Sequence, residues 1–279
     1  MVRPFAGIGL GLRSEFAAEL PATQRQVDWV EVVAEDWAPL GGLGLKILEA
    51  NLERWALVPH STGLSIGGPD PFDAEYLGWM RHFCRRIEAP FFSDHLGYSS
   101  VGGVQLHDVL ALPFSVEAAE HTVRRIREVR QDLEVPLVFE NPTYYAVMPG
   151  STMDEAAFLR LVLEEGECGM LLDVNSLYVN SRNHDYDPYG FVDRMPLERV
   201  CELHLSGHDR FPNLVIDTQR SPIPDEVWAL YRYVLACAGR MIPTLIEWDF
   251  QIPPLDQALD EVDRARDHAA SVLRQAVAA

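Results

Sequence analysis

The chain has 279 residues, the usual length of one barrel of eight β/α units, and 48% of its residues are hydrophobic and 23% charged. Its formal net charge of −19 disfavours a nucleic-acid partner, because binding to a phosphate backbone depends on Lys and Arg that displace counterions. No segment has the length and apolar character of a transmembrane helix, and the start MVRPFAGIGLGLRSEF lacks the long apolar region of a signal peptide, so we expect a cytoplasmic protein with no membrane partner.

Eight short apolar runs predict β-strands that are buried on both faces, since they are rich in Val, Ile, Leu and Phe without clean alternation. The runs are residues 5–10, 28–33, 56–60, 90–94, 136–140, 169–174, 200–205 and 242–247. Apolar positions at three- and four-residue spacing predict helices over 73–88, 115–132, 154–165, 223–239 and 255–275. Strands that alternate with helices predict a parallel sheet, and eight repeats predict an α/β fold of the (β/α)8 TIM-barrel type, a single domain over residues 1–279.

The segments that follow several of these strands fit neither a helix nor a strand and are predicted to be long loops. They are residues 61–72, 96–114, 141–153, 175–195 and 206–222. Loops at the C-terminal end of the strands build the active sites of β/α barrels.

Six residues that can bind a metal lie at or next to the C-terminal ends of six successive predicted strands. They are His60, His95, Glu140, Asp173, His204 and Glu247. Parallel strands in a barrel bring such side chains together at one mouth. Imidazole and carboxylate are the usual ligands of iron, zinc and manganese, and a carboxylate can bridge two ions that lie about 4 Å apart. The sequence therefore predicts a site for more than one metal ion.

Further donors follow in the loops after these strands. Asp217 adds a carboxylate, and Asn175 and Ser176 add neutral oxygens just beyond Asp173. His184, His208 and Gln219 are additional candidate ligands, for which a hydrogen-bonding role around the metal or a solvated position competes closely. Aromatic residues predicted at the mouth, as groove lining or as plain packing, are Trp37, Tyr98, Tyr144, Tyr145 and Trp248.

With these motifs in order, the chain resembles the multinuclear non-heme iron-dependent oxidase (MNIO) family over nearly its whole length. The segments that carry the resemblance are GIGLGLR, VDWVEVVAEDW, PHSTGLSIG, SDHLGY, FENPTYY, GMLLDVNSLYVNSRNH, ELHLSGH, IDTQ and IEWD. This family is related to the xylose isomerase-like and apurinic endonuclease barrels, which implies the same fold and a metal cluster at the C-terminal mouth.

By similarity to the three-metal endonucleases, the resemblance implies three neighbouring metal positions. His60, His95 and Glu140 would hold the first ion, and Glu140 would bridge to a second. Asp173, His204 and Glu247 would complete the second position. Asp217, together with groups near Asn175, Ser176 and residue 219, would hold the third. Family members usually carry His where this chain has Gln219, and an amide is the weaker ligand, so we expect a di-iron core with a labile or absent third iron.

The activity that the resemblance implies is oxidation of a residue, often cysteine, in a ribosomally made precursor peptide. The expected cofactors are two to three iron ions of mixed valence, with dioxygen as cosubstrate, and the products of relatives include excision of a β-carbon, heterocycles and thioamides. Asp249, Asn141 and Asp94 flank the ligands and are candidate catalytic residues, for orientation or for proton transfer. A separate partner protein that recognises the leader of the precursor peptide is also expected.

Three other functions remain open from the sequence. The same scaffold serves metal-dependent phosphodiester hydrolases and sugar isomerases, and a non-catalytic binding protein is a further alternative. The acidic charge disfavours the hydrolase. Isomerases usually carry a lysine in the site, whereas Lys46, the only lysine here, lies in a predicted helix before the third strand.

Overall fold

The computed structural model describes residues 5–39 and 41–278 and shows a closed barrel of eight parallel strands. The strands of the described region are β1 Ile8–Gly11, β2 Trp29–Val33, β3 Leu57–Ser61, β4 Phe92–His95, β5 Gly97–Val101, β6 Val104–Ala111, β7 Leu137–Glu140, β8 Gly169–Asp173, β9 Val200–Leu205, β10 His208–Phe211, β11 Leu214–Asp217 and β12 Thr244–Ile246. The barrel order is β1-β2-β3-β4-β7-β8-β9-β12, and β12 pairs with β1 to close it. The predicted α/β fold of the TIM-barrel type is thus confirmed.

Helices connect the barrel strands. They are α1 Ala34–Trp37, α2 Gly42–Arg54, α3 Ala74–Ile87, α4 Val116–Leu133, α5 Glu155–Gly166, α6 Val174–Asn183, α7 Pro188–Val192, α8 Asp225–Ala238 and α9 Leu255–Ala278, with 3-10 turns at Leu20–Ala22 and Leu197–Arg199. The five helices predicted from periodicity lie within a few residues of their observed bounds. Side chains of Asp73, Ser115 and Asp154 cap α3, α4 and α5 by accepting hydrogen bonds from free backbone N–H groups of the first turn.

Two of the predicted loops fold into hairpins, and a third is largely helical. Segment 96–114 contains the antiparallel pair β5–β6, and segment 206–222 contains β10–β11. Segment 175–195 contains most of α6 and all of α7, so the prediction of a loop there was wrong. The Asn- and Ser-rich sequence of α6 has low helix propensity, but Asp173 caps it and it buries Leu177 and Val179, so capping and packing override propensity.

The alternation of inward- and outward-facing side chains along the strands explains why the candidate ligands lie inside the barrel. Side chains two residues apart share a face of a strand, and in a barrel one face points inward. A small cluster of buried side chains, separate from the main core, contains the residues two positions before four of the candidate ligands. The pairs are Val58 and His60, Val138 and Glu140, Leu171 and Asp173, and Leu245 and Glu247. The candidate ligands therefore form the next inward-facing layer above a largely apolar plug, in which Glu31 and Glu202 lie in register with Val58 and Leu171.

Among the described residues, every helix is too short or too polar to cross a membrane.

Candidate metal centre

The six side chains predicted from the strand ends meet at one mouth of the barrel. His95 pairs in register with Glu140, and Asp173 with His204, so neighbouring strands present these groups side by side. The Nε2 atoms of His60 and His95 lie 3.3 and 3.4 Å from the same carboxylate oxygen of Glu140. His204 Nδ1 lies 3.8 Å from the other oxygen of Glu140 and 3.2 Å from Glu247 Oε2.

These side chains form overlapping groups, each compact enough to hold one ion, with ligand atoms within 4.8 Å of one another. The groups are His60, His95 and Glu140; Glu140, Asp173 and His204; and Glu31, His204 and Glu247. Glu140 belongs to two groups, as expected of a carboxylate that bridges neighbouring ions.

Several ligand atoms in these groups are buried without a hydrogen-bond partner. They are Glu140 Oε2, Asp173 Oδ2, His204 Nδ1 and His95 Nδ1. A buried polar atom left unsatisfied costs about 1–3 kcal/mol, so such atoms are rare and call for an explanation. A cation coordinated by Glu140, Asp173 and His204 would satisfy one orphaned atom from each, so the donor set fits a metal.

Electrostatics within the cluster also favour a bound cation. Burial raises the pKa of Glu140 well above its usual range and that of Asp173 to about 8. Burial alone would lower the pKa of His204, but the carboxylates of Glu31 and Glu247 raise it well above its usual value. Burial alone would raise the pKa of Glu247, but His204 and Arg13 lower it to about 2. The site holds more buried carboxyl groups than its own cations can neutralise, and a divalent ion would supply the missing charge.

Two buried glutamates behind His204 were not found from the sequence. His204 Nε2 lies 3.2 Å from Glu31 Oε2 and 3.4 Å from Glu202 Oε1, and both glutamates are almost completely buried. A proton held on Nε2 leaves the lone pair of Nδ1 available to a metal ion. The sequence does contain a sign of these two residues. Each is a glutamate inside an apolar run, WVEVV or CELHL, and it shares the inward face of its strand with the residues two positions away.

Arg13, which follows β1, is a further residue near the site that could not be predicted from the sequence. Its Nη2 atom donates to Glu247 Oε1 at 3.2 Å and to Asp249 Oδ1 at 2.6 Å, while Nε donates to the Trp248 carbonyl at 2.6 Å. Only about 10% of its side chain is exposed. Arg13 therefore holds the segment after β12 in place and fixes the orientation of Glu247.

Asp217 lies in a separate hydrogen-bonded cluster at the edge of the centre. Its Oδ1 accepts from Asn175 Nδ2 at 2.8 Å, and its Oδ2 accepts from Thr143 Oγ1 at 2.7 Å and from Ser176 Oγ at 3.0 Å. His208 joins through Nδ1, which lies 2.7 Å from Asn175 Oδ1. Burial raises the pKa of Asp217 to about 6, although the bond from Thr143 acts in the opposite direction.

The remaining two candidate ligands have different environments. Gln219 lines the cavity of the centre, and its buried Oε1 has no hydrogen-bond partner among the described residues. His184 stacks on Tyr144 with ring centroids 4.1 Å apart, and its Nε2 lies 2.9 Å from the Tyr144 carbonyl oxygen. His184 caps the C-terminal end of α6 while Asp173 caps the other end, and a helix of this length separates them by about 15 Å. The structure thus does not bring His184 into the three groups.

The three candidate catalytic residues divide into two kinds. Asn141 is fully buried and exchanges two hydrogen bonds with the backbone of Asp173, at 3.1 and 3.0 Å. Asp94 is also buried and accepts from Ser61 Oγ and from the backbone N–H of Leu64 and of His95. Neither residue lines the cavity, whereas Asp249 does, with 41% of its side chain exposed.

A cavity of about 750 Å³ opens over the centre. His95, Glu140, Asp217 and Asp249 lie in its wall, and strand β6 of the first hairpin contributes Gln105, His107, Asp108 and Val109. Of the aromatic residues predicted at the mouth, Tyr145 lines this cavity, Tyr144 lines a separate one and Trp37 lines a third.

The sequence matches known proteins over almost its full length. A family model described as "RiPP precursor modification enzyme MbnB/TglH/ChrH" matches residues 7–270, where RiPP denotes a ribosomally synthesised and post-translationally modified peptide. A UPF0276 protein of Shewanella amazonensis is 41% identical over 268 residues, which are 95% of this chain and 95% of that protein. A UPF0276 protein of Caulobacter vibrioides is 38% identical over 281 residues, covering 100% of this chain and 99% of that protein.

Solved structures share the fold at low sequence identity. D-psicose 3-epimerase of Clostridium cellulolyticum superposes with a TM-score of 0.62 at 12% identity, covering 96% of this chain and 99% of that one. Endonuclease IV of Thermus thermophilus superposes with a TM-score of 0.59 at 14% identity, covering 95% of this chain and 99% of that one. These likenesses show the barrel architecture alone.

Proposed function

We propose that this chain, which belongs to the family of RiPP precursor modification enzymes MbnB/TglH/ChrH, is an iron-dependent oxidase that uses dioxygen to modify a residue of a precursor peptide. The family membership agrees with the resemblance to the MNIO enzymes and gives the substrate class. One observation above all supports an oxidase. Three histidines and three carboxylates cluster at the floor of a cavity, and several of their ligand atoms have no hydrogen-bond partner.

We assign His60, His95 and Glu140 to one iron and Glu140, Asp173, His204 and Glu247 to a second. Histidine and carboxylate together suit iron, and the absence of thiolate ligands from the described groups disfavours a purely structural zinc site. Asp217 is the candidate anchor of a third, more weakly held ion. Its carboxylate is already satisfied by neutral donors, and Gln219 offers only an amide.

Iron bound here would supply the one-electron chemistry with dioxygen that amino-acid side chains lack. The protein contributes the position and the surroundings of the reaction. The apolar plug below the ligands keeps water from the inner side of the centre, and Arg13 holds Glu247 in one orientation. Asp249 presents a carboxylate to the cavity and is the group best placed to accept a proton from a bound peptide.

Asn141 and Asp94 act as positioning residues in this proposal. Asn141 fixes the backbone of Asp173, and Asp94 fixes the chain around Ser61 and His95. Removing a hydrogen bond that holds a metal ligand in place typically lowers metal affinity or activity about 10–100-fold.

The surroundings of the cavity suit part of an extended peptide. It is bordered by the hairpin β5–β6 and by the exposed aromatic side chains of Tyr145 and Phe250. We also expect a separate partner protein that recognises the leader of the precursor peptide, because the resemblance to the MNIO family implies one.

The test is to supply the iron-loaded protein with dioxygen and with the cysteine-containing short peptide encoded nearest its gene, with any adjacent small protein present. Mass spectrometry should show a mass change in the core of the peptide that requires iron, dioxygen and Glu140. The matched variant is Glu140→Gln, which keeps the size of the side chain, and Glu164→Gln on the exposed face of α5 is the control. An unchanged peptide, combined with metal-dependent cleavage of a phosphodiester, would contradict the proposal that the protein is an oxidase.

A further inference from the structure

A second cavity, of about 450 Å³, lies beside the N-terminal end of α5 and contains none of the candidate metal ligands. Four aromatic side chains form part of its wall: Phe114, Tyr144, Tyr186 and Phe191. These rings pack against one another, with Phe114 and Tyr144 centroids 5.3 Å apart in an edge-to-face contact and Tyr186 stacked with Phe191 at 5.9 Å. The arrangement gives the cavity well-packed walls.

A buried carboxylate forms part of this aromatic cavity. Glu155 is the first residue of α5 and is 6% exposed. The hydroxyl of Tyr186 donates to Glu155 Oε2 at 3.1 Å, and Asn180 Nδ2 lies 3.5 Å from Oε1. The contacts are neutral, and in the described part of the chain no arginine, lysine or histidine forms an ion pair with Glu155.

The other charged groups at this cavity do not provide a cation for Glu155. Arg194 lies at the wall, but it is half-exposed and paired with Asp154. Asp187 adds a further carboxylate, which caps α7. The cavity thus contains one buried carboxyl group that has no cationic partner among the described residues, beside four aromatic rings.

The aromatic cavity is joined to the metal centre through the segment after β7. Tyr144 lines the aromatic cavity, whereas its neighbours Thr143 and Tyr145 line the cavity over the metal centre. Asn180 links the two regions, because it accepts from the Tyr144 backbone N–H and donates to the Pro142 carbonyl. The segment from Thr143 to Tyr145 therefore forms a wall that the two cavities share.

We propose that the aromatic cavity binds a basic side chain, lysine or arginine, of the peptide substrate at a distance from the residue that is oxidised. Aromatic faces attract cations, and a desolvated carboxylate pairs with an ammonium or guanidinium more strongly than an exposed one. This assignment rests on the proposed function only in taking the ligand to be a peptide.

Binding of two matched probes tests the assignment without turnover. The probes are Nα-acetyl-lysine methylamide and Nα-acetyl-norleucine methylamide, which differ in the terminal ammonium group, titrated into the metal-loaded protein and followed by NMR. The lysine probe should bind at least tenfold more tightly than the norleucine probe. Glu155→Gln should abolish that preference, and Glu164→Gln, which removes an exposed charge from the same helix, should preserve it.

A second variant tests the same assignment if the Glu155→Gln protein does not fold. Val147 is 57% exposed and lines the cavity, so Val147→Lys can place a tethered ammonium there without disturbing the core. It should weaken binding of the lysine probe several-fold, while Val147→Gln should not. Equal binding of both probes, or a lysine preference unaffected by Glu155→Gln and Val147→Lys, would overturn the assignment. That result would leave the peptide oxidation assay unaffected, so failure of the two proposals can be told apart.

Discussion

At the residue scale, Glu31 shows how one buried carboxylate can decide the behaviour of a metal ligand. It lies against the nitrogen of His204 that faces away from Glu140, so it favours the tautomer that exposes Nδ1 to the metal. Glu31→Gln should lower metal affinity about 10–100-fold, because the amide can donate to Nε2 and favour the wrong tautomer. A chelator competition measures the affinity, with Glu19→Gln on the exposed surface as the control. An affinity equal to that of the wild type would remove Glu31 from this role.

Glu155 gives a prediction about stability and pH. Burial raises its pKa from 4.5 to about 7, although hydrogen bonds from Tyr186, Tyr144 and Asn180 act the other way. The folded state therefore holds a proton that the unfolded state releases between about pH 4.5 and 7, so this group's contribution to stability is lost as the pH rises through that window. Glu155→Gln should raise the free energy of unfolding at pH 8 by up to about 3 kcal/mol and change it little at pH 5. Urea unfolding at the two pH values measures this, and a loss of stability at both would show that the carboxylate is needed for packing.

At the element scale, the hairpin β10–β11 carries Asp217, and Gly207 sets its entry. A Cβ atom at position 207 would clash with the backbone carbonyl of Ser221, and the Gly207 carbonyl accepts from the Gln219 backbone N–H at 2.9 Å. Gly207→Ala should therefore cost about 1–3 kcal/mol and displace Asp217 from its donors. Gly78→Ala, in α3 where an added Cβ meets nothing within 4 Å, should instead stabilise by about 0.5–1 kcal/mol. Thermal unfolding of the two variants makes the comparison, and equal stability of Gly207→Ala and wild type would contradict it.

The elements also explain which features could be predicted from the sequence. Short continuous apolar runs reveal barrel strands because both faces of these strands are buried, and so the strand ends that carry His60, Glu140 and Asp173 could be predicted. Helix α6 was missed because its stability comes from the Asp173 cap and from packing. The same helix explains why His184, close to Asp173 in sequence, lies about 15 Å from it. Glu31, Glu202 and Arg13 were missed because a single charge beside an apolar run is usually solvated.

At the scale of the whole molecule, one bridging carboxylate is expected to hold the metal centre together. Glu140→Ala should release both core ions at once, because Glu140 belongs to two of the ligand groups. Asp217→Ala should change only the third and weakest position, since Asp217 lies in its own hydrogen-bonded cluster. Metal analysis of the two purified variants checks this. Full metal content in Glu140→Ala would show that the ions are not bridged.

The proposed oxidase requires that this barrel bind an iron cluster that reacts with dioxygen. The most direct measurement is the metal content per chain after anaerobic purification from iron-rich medium, together with Mössbauer spectra of the iron. We expect about two or three irons per chain, magnetically coupled and partly oxidised. One equivalent or more of tightly bound zinc, with no uptake of iron by the metal-free protein, would contradict it.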